Sequence, residues 1–462
     1  MYRVEKDPLG EILVDENCLW GAHTQRAFEN FQISSFKVPQ ELLQHLALVK
    51  FCYASTHKEL NLLPEQIADA IADSAHEIYK GAHFEHFPLD VFQTGSATST
   101  NMNMNEVIAN LSLKKLGYQP GNKDKIHPND HVNMSQSSND VIPSAILLTS
   151  AILTHDLLLP SLENFIQTLK QLELKFADII KLGRTHLQDA VPLTVGQEIS
   201  GWRAQLEIHQ TFIKNSWQEL LKLPVGGTAV GTGLNCDRRV PPRVIEILCQ
   251  KTNLPFCPAS NNFSLQSSLD PIVGLSSTIR SLAVAVHKIC NDLRHLSSGP
   301  RGGIGEYVLP VVQAGSSIMP GKSNPVILES AIMAMLFVIS LDTCICLGGM
   351  NGNFQLNTSM PLLGFSIVNQ IKITSNTLRN LIDKVFKNLR VDADRCLELV
   401  EKSPALCTPL AKLIGYDRAA EVFQYAVRQN LTIREAVQKM GLLDKELSSE
   451  ELNKILDPKN MV

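Results

Sequence analysis

The decapeptide Gly315-Ser316-Ser317-Ile318-Met319-Pro320-Gly321-Lys322-Ser323-Asn324 gathers hydroxyl, ammonium and amide groups on a backbone loosened by glycine. Those groups suit proton abstraction. A serine hydroxyl acts as a base near neutral pH only when its anion is stabilised, and here backbone N–H groups and Lys322 stand close to Ser316 in sequence. The same stretch approaches the phosphate-binding pattern G-x-x-x-x-G-K-[ST] at Gly321-Lys322-Ser323, but Ser316 stands where that pattern needs its first glycine. No β-rich run precedes it and a long apolar segment follows, which argues against a nucleotide cradle.

Three further polar clusters share the chemistry: Gly95 to Asn101, Ser135-Gln136-Ser137-Ser138-Asn139-Asp140, and Gly183-Arg184-Thr185-His186. Each alone reads as a helix cap or turn, because Ser, Thr, Asn and Asp satisfy nearby backbone groups. Together with the Gly315 loop they offer the hydroxyls, amides and cations that hold small carboxylates. Glu329 lies just inside the apolar segment after the loop, where an unpaired carboxylate is costly, so His186 is its expected partner. Such a pair is a proton relay, or else an ion pair that only joins two helices.

The elements that must position these groups are helical. Leu162, Phe165, Ile166, Leu169, Leu172, Phe176 and Ile179 recur at spacings of three and four, as one buried helix face requires. Asp270-Pro271 opens a second stripe through Ile272, Leu275, Ile279, Leu282, Val286, Ile289, Leu293 and Leu296, about seven turns, before Gly299-Pro300 ends it. That length predicts a bundle of long helices. From Val326 to Leu347 the chain is apolar almost all round, yet Glu329 and Asp342 interrupt it, so a protein interior is preferred to a bilayer. A helix apolar on every side needs partners on every side, which predicts a homo-oligomer. The expected divisions are residues 1–138, mixed helix and loop; 139–391, the long-helix bundle; and 392–462, short helices.

At 462 residues, 44% apolar, 19% charged and with a net charge of -4, the chain has globular composition and lacks the dense basic run of a nucleic-acid binder. None of its ten cysteines forms a C-x-x-C pair, so buried thiols in a reducing compartment are expected. Met1 to Asp7 has no apolar core and carries acids early, which predicts a cytoplasmic protein.

Residues 315–324 fit the signature G-S-S-x-M-P-x-K-x-N, and on them the chain resembles the fumarase/aspartase superfamily. The resemblance extends through Leu19 to Arg26, Thr94 to Glu106, His127 to Asp140, Gly183 to Gln197, Gly226 to Asn235 and Ser298 to Arg301. Within it, Thr94-Gly95-Ser96, Ser137-Ser138-Asn139 and Asn351-Gly352-Asn353-Phe354 look like class II fumarases, whereas Leu296 to Arg301, Gln313-Ala314 and Val326-Ile327 look more like aspartases.

The resemblance implies a mainly α, three-domain subunit whose long central bundle joins a twenty-helix tetramer core, with active sites shared by three subunits. It implies a small dicarboxylate substrate and neither metal nor organic cofactor, nucleic acid nor membrane. Fumarate hydration to (S)-malate within the tricarboxylic acid cycle is the expected activity, with aspartate ammonia-lyase the alternative. By residue, Ser316 resembles the base at C3, Lys322 and Asn324 the groups on the adjacent carboxylate, and His186 with Glu329 the acid for the leaving hydroxyl. Ser96, Thr98, Ser137, Ser138, Asn139, Thr185 and Ser317 resemble substrate-holding residues, and His127, Pro128, Asn129 and Asp130 a peripheral carboxylate site. Three departures stand out: Ala97 where fumarases usually have glycine, Met134 where they have lysine, and Ile327-Leu328 in place of a more polar pair. At position 97 a methyl is expected to crowd a glycine-only backbone shape.

Overall fold

The computed structural model describes residues 1–443 and 447–462, and it is mainly helical. An N-terminal hairpin, β1 (Tyr2–Asp7) and β2 (Gly10–Asp15), leads into α1 (Ala22–Asn30), α2 (Gln40–Glu59), α3 (Glu65–Tyr79) and α4 (Thr98–Lys115). Next come α5 (Ser138–Leu153) and α6 (Leu159–Lys175), joined by a π-helical segment, Thr154–Leu158. A second hairpin, β3 (Ile180–Thr185) and β4 (Gln188–Thr194), precedes α7 (Val195–Glu219), α8 (Val240–Thr252), α9 (Asn262–Ser267) and α10 (Asp270–Leu296). The last long helices are α11 (Val326–Gly349) and α12 (Met360–Lys384), followed by the short α13 (Ala393–Lys402), α14 (Cys407–Ile414), α15 (Tyr416–Gln429), α16 (Ile433–Lys439) and α17 (Ser449–Ile455).

Two compact units emerge, each drawn from three separated stretches. Unit 1 comprises Met1–Pro160, His209–Ala283 and Leu336–Ser375; unit 2 comprises Ser161–Ile208, Val284–Met335 and Asn376–Val462. In unit 1, α2 packs on α3, α5 and α8, and α3 packs on α4. The Glu106 carboxylate on α4 accepts backbone N–H bonds from Gly21, His23 and Thr24 and the Thr24 hydroxyl, so a buried anion satisfies the first turn of α1. In unit 2, α14 to α17 close a small core that also takes in Leu182 of β3.

The stripes read from sequence are buried faces. Leu162, Phe165, Ile166, Leu169 and Leu172 are buried along α6, with Phe176 just past its end, whereas Ile179, further beyond the helix, is half-buried; all eight apolar positions of α10 are inside. Asp270 is the first residue of α10. Helix α11 behaves less uniformly. Leu328, Ala331, Met335, Val338, Leu341 and Ile345 are buried, but Met333, Leu336, Phe337 and Leu347 are 64, 54, 52 and 59% exposed in the single chain. Its two acids differ as well: Asp342 is buried and accepts from the Ser276 hydroxyl at 2.7 Å, whereas Glu329 is exposed in the first turn. Within one chain Glu329 is therefore in water, contrary to the burial and pairing expected of it. A first-turn side chain projects past the helix end, where water still reaches it.

By length and apolarity alone, the segments 138–175, 270–296 and 326–349 would suffice to cross a membrane.

Candidate active site

The loop from Gly315 to Asn324 is folded on itself. The Ser316 hydroxyl oxygen accepts backbone N–H bonds from Ile318 at 3.2 Å and Met319 at 2.9 Å. Lys322 N–H bonds back to the Met319 carbonyl at 3.3 Å, and the Asn324 amide donates to the Gly315 carbonyl at 2.5 Å. Glycine is needed at 315, because a Cβ there would lie 2.4 Å from the Lys322 carbonyl oxygen. Two N–H dipoles aimed at one hydroxyl oxygen favour its deprotonated form, which a general base requires. Ser317 and Lys322 are exposed, and Lys322 has no ion-pair partner among the described residues.

His186 stands at the tip of the β3–β4 hairpin. Thr185 pairs with Gln188, leaving His186 and Leu187 as a two-residue turn with φ of 55° and 60°. Two successive left-handed residues make a turn whose twist matches the strands. The sequence cluster Gly183 to His186, read as a cap or turn, is thus the end of a strand and its turn. Gly183 sits at a break in strand register, and a Cβ there would meet the Val191 carbonyl oxygen at 2.4 Å. His186, Arg184, Lys181, Trp202, Lys288 and His295 help line a cavity of about 520 Å³ within unit 2. The Ser316 loop is not part of its wall, and no hydrogen bond joins His186 to Glu329 among the described residues.

Beneath the hairpin lies a charged cluster that sequence reading missed. The buried Glu306 carboxylate receives both terminal nitrogens of Arg184 at 3.0 Å and Lys181 Nζ at 3.2 Å. Lys181, also buried, reaches Glu198 at 2.6 Å, and the Tyr307 hydroxyl donates to Glu198 at 2.6 Å. Of these residues the sequence marks only Arg184, as one donor in a polar cluster. Its partner is 122 residues away, beyond the reach of any periodicity.

Unit 1 holds the other candidate residues. Ser96 and Thr98 share a hydrogen bond of 2.8 Å at the start of α4, and Gly95 packs so tightly that a Cβ would lie 2.1 Å from the Thr358 carbonyl oxygen. Ala97, the departure from glycine, caps α4 with φ 56° and ψ 27°. The left-handed shape survives the added methyl, at a cost of about 1–2 kcal/mol.

Ser137 caps α5, accepting from Asn139 N–H while Asp140 accepts from Ser137 N–H at 2.8 Å. Asp140 also accepts from Gly226 and Thr228 N–H, each at 3.1 Å, pinning the Gly226 loop to this helix start. Asn139 donates to the Ala229 carbonyl at 2.8 Å, and Ser138 accepts weakly from Asn101 at 3.4 Å.

Lys50 is buried and donates to Asn133 and Gln136, each at 2.9 Å, behind the serines. Burial lowers the Lys50 pKa to about 7 and raises that of Asp140 to about 6. A lysine in a long helix that is buried over most of its surface gives no sequence sign of its own burial. At Met134, the departure from lysine, the side chain is half-buried. The peripheral segment forms a π turn, Pro128–Val132, capped by His127, whose Nδ1 accepts from Asn129 and Asp130 N–H at 3.2 Å. Pro128 is buried and Asn129 and Asp130 are exposed.

Thus Ser96, Thr98, His127 to Asp130 and Ser137 to Asn139 belong to unit 1, and Thr185, His186, Ser316, Ser317, Lys322, Asn324 and Glu329 to unit 2. The loop that fits the signature lies within residues 10–340, which match the family described as lyase, and residues 406–462 match fumarase C C-terminus. Full-length similarity is equally direct: the chain is 42% identical over 460 residues to a fumarate hydratase class II of Wigglesworthia glossinidia brevipalpis, covering 100% of this chain and 98% of that one.

The chain belongs to the class II fumarase family.

It is a lyase of the fumarase/aspartase superfamily. A second class II relative, from Halalkalibacterium halodurans, is 43% identical over 460 residues, covering 100% of this chain and 98% of its own. Among solved structures, the class II fumarase of Schistosoma mansoni superposes with a TM-score of 0.95 at 36% identity, covering 100% of this chain and 99% of that one. A fumarate lyase:delta crystallin from Brucella melitensis, bound to cobalt, gives 0.94 at 37% identity, with 100 and 99% covered.

Proposed function

We propose that the protein interconverts fumarate and (S)-malate in the tricarboxylic acid cycle of the cytoplasm, as a homotetramer whose active sites draw on three subunits. The observation that carries the chemistry is the Ser316 oxygen held by two backbone N–H groups inside the signature loop. Ser316 removes the proton from C3 of malate, and the C–H electrons move into the adjacent carboxylate to give an aci-carboxylate dianion. Lys322 and Asn324 meet that charge, which grows in the transition state and is therefore worth more there than in the ground state. The C2–oxygen bond then breaks as His186, assisted by Glu329, delivers a proton, and water leaves. Ser96, Thr98, Ser137, Ser138, Asn139, Thr185 and Ser317 hold the dicarboxylate.

Assembly has its own support. The Ser316 loop is absent from the cavity beside His186, and α11 leaves Met333, Leu336, Phe337 and Leu347 uncovered in one chain. Neighbouring subunits would cover that face and bring the two halves of the chemistry together.

The relatives named class II fumarate hydratase favour water over ammonia as the added group. Purified protein given fumarate alone, and fumarate with ammonium, should make malate in both and little aspartate. Aspartate formed faster than malate would refute the hydratase reading.

A further inference from the structure

Away from every residue assigned above, unit 1 brings together His83, Glu85 and His86. One potential ligand atom from each lies within 4.8 Å of the others. We propose that these three side chains form a binding site for a divalent transition ion of the zinc class, separate from the lyase chemistry.

The donor set points to that class. Two imidazole nitrogens and one carboxylate oxygen match zinc, cobalt, nickel or copper, whereas magnesium and calcium prefer oxygen throughout. In a tetrahedral site with ligand bonds of about 2.0–2.1 Å the ligand atoms stand roughly 3.4 Å apart, so side-chain shifts of about an ångström close this cluster. The compact sequence His83-Phe84-Glu85-His86 makes this feasible, because Phe84–His86 is a single 3-10 turn and His83 is its cap. The two imidazoles already lie nearly parallel, 18° apart with centroids at 6.3 Å.

The surroundings have the form of a supported site. His83 Nε2 is held by Glu77 at 3.0 Å, and the other Glu77 oxygen is held by Lys115 at 2.7 Å. With His83 bound through Nδ1, the Glu77 carboxylate on Nε2 would fix the ring and raise its basicity. The His86 carbonyl accepts from Asn103 on α4 at 3.0 Å, tying the turn to a helix. His86 is partly buried against Trp20, whose ring meets it edge-on at 6.4 Å. An ion here would clip the turn to the end of α3 and hold the segment that leads on to Thr94 and Thr98.

The test is a titration of the full-length protein with cobalt(II), read by its ligand-field absorption and, with copper(II), by quenching of tryptophan fluorescence. One equivalent per chain should bind, zinc should displace it, and Trp20→Phe should abolish most of the quenching. His83→Ala and His86→Ala should each weaken binding by more than about 100-fold, and Glu77→Gln by about 10- to 100-fold, the usual range for a supporting carboxylate. Malate formation serves as the control that the variants remain folded. Absence of saturable binding, or affinity unchanged in both histidine variants, overturns the proposal. If either histidine variant fails to fold, the exposed Glu85→Gln decides, and undiminished affinity there overturns it equally.

Discussion

Replacing Glu306 by alanine should destabilise unit 2 by about 3–5 kcal/mol, the cost of breaking a buried ion pair by removing one partner. The carboxylate has no solvent access and neutralises two cations at once, Arg184 through two bonds of 3.0 Å and Lys181 at 3.2 Å. Alanine leaves Lys181, itself 1% exposed, with Glu198 as its one ion-pair partner among the described residues. Among the described residues Arg184 then keeps the Leu182 carbonyl at 3.2 Å as its one hydrogen-bond partner. Both cations lie on β3, so the loss is transmitted to the hairpin that presents His186.

Glu306→Gln keeps the shape and an acceptor oxygen while deleting the charge, and about 1.5–3 kcal/mol is expected, the range for hydrogen bonds to charged groups. In Lys181→Met combined with Glu306→Leu the penalties should fall short of their sum by about 1–3 kcal/mol, because each change removes the other's unpaired charge. Urea unfolding gives the totals, and hydrogen exchange gives the locality. Amides of residues 180–185 should exchange roughly two to four orders of magnitude faster in Glu306→Ala, following the lost free energy at 1.36 kcal/mol per decade. Stability within 1 kcal/mol of the parent, with unchanged exchange in β3, would show that the cluster does not hold the hairpin.

Ser316→Ala should lower kcat by at least about 10²-fold with the fold intact, since a positioned proton-transfer group is worth that much. Mixed with inactive His186→Ala subunits it should regain part of the activity; zero recovery in confirmed hybrids would place both groups in one subunit's site. Ala97→Gly should change stability by between zero and about +1 kcal/mol, as relief of the left-handed alanine is partly offset by a more flexible unfolded chain; thermal unfolding that shows clear destabilisation would contradict the strain. Lys50, at about 7 in the fold against 10.5 in the unfolded chain, binds fewer protons when folded across that window, so stability should rise with pH between about 7 and 10. Lys50→Met should flatten that rise in urea unfolding measured across the window, and an equal slope in both proteins would mean the ammonium is not held down by burial.

Much of the framework is legible without coordinates because it rests on local rules. The faces of α6 and α10 follow from apolar residues three and four apart, and all eight stripe positions of α10 are buried for that reason. The chemistry of the Gly315 loop is equally local. Ser316 receives N–H groups from residues two and three ahead, so the sequence carried both the hydroxyl and its donors. Helix caps belong here too: Ser137 and Asp140 are three apart and form the capping box that such spacing suggests.

What tertiary structure alone decided involves long separations, or environments that composition does not specify. Glu306 finds Arg184 across 122 residues and Asp140 finds Gly226 across 86, pairings that obey no period. Whether a charge within an apolar helix is buried is likewise undecided by its neighbours in sequence. Asp342 turned inward to the Ser276 hydroxyl, whereas Glu329, at the helix end, remained in water. Sequence supplies the groups and their local hydrogen bonds. Packing sets how far each carboxylate is removed from water and which cation it meets there, and those two quantities fix the electrostatics of the site.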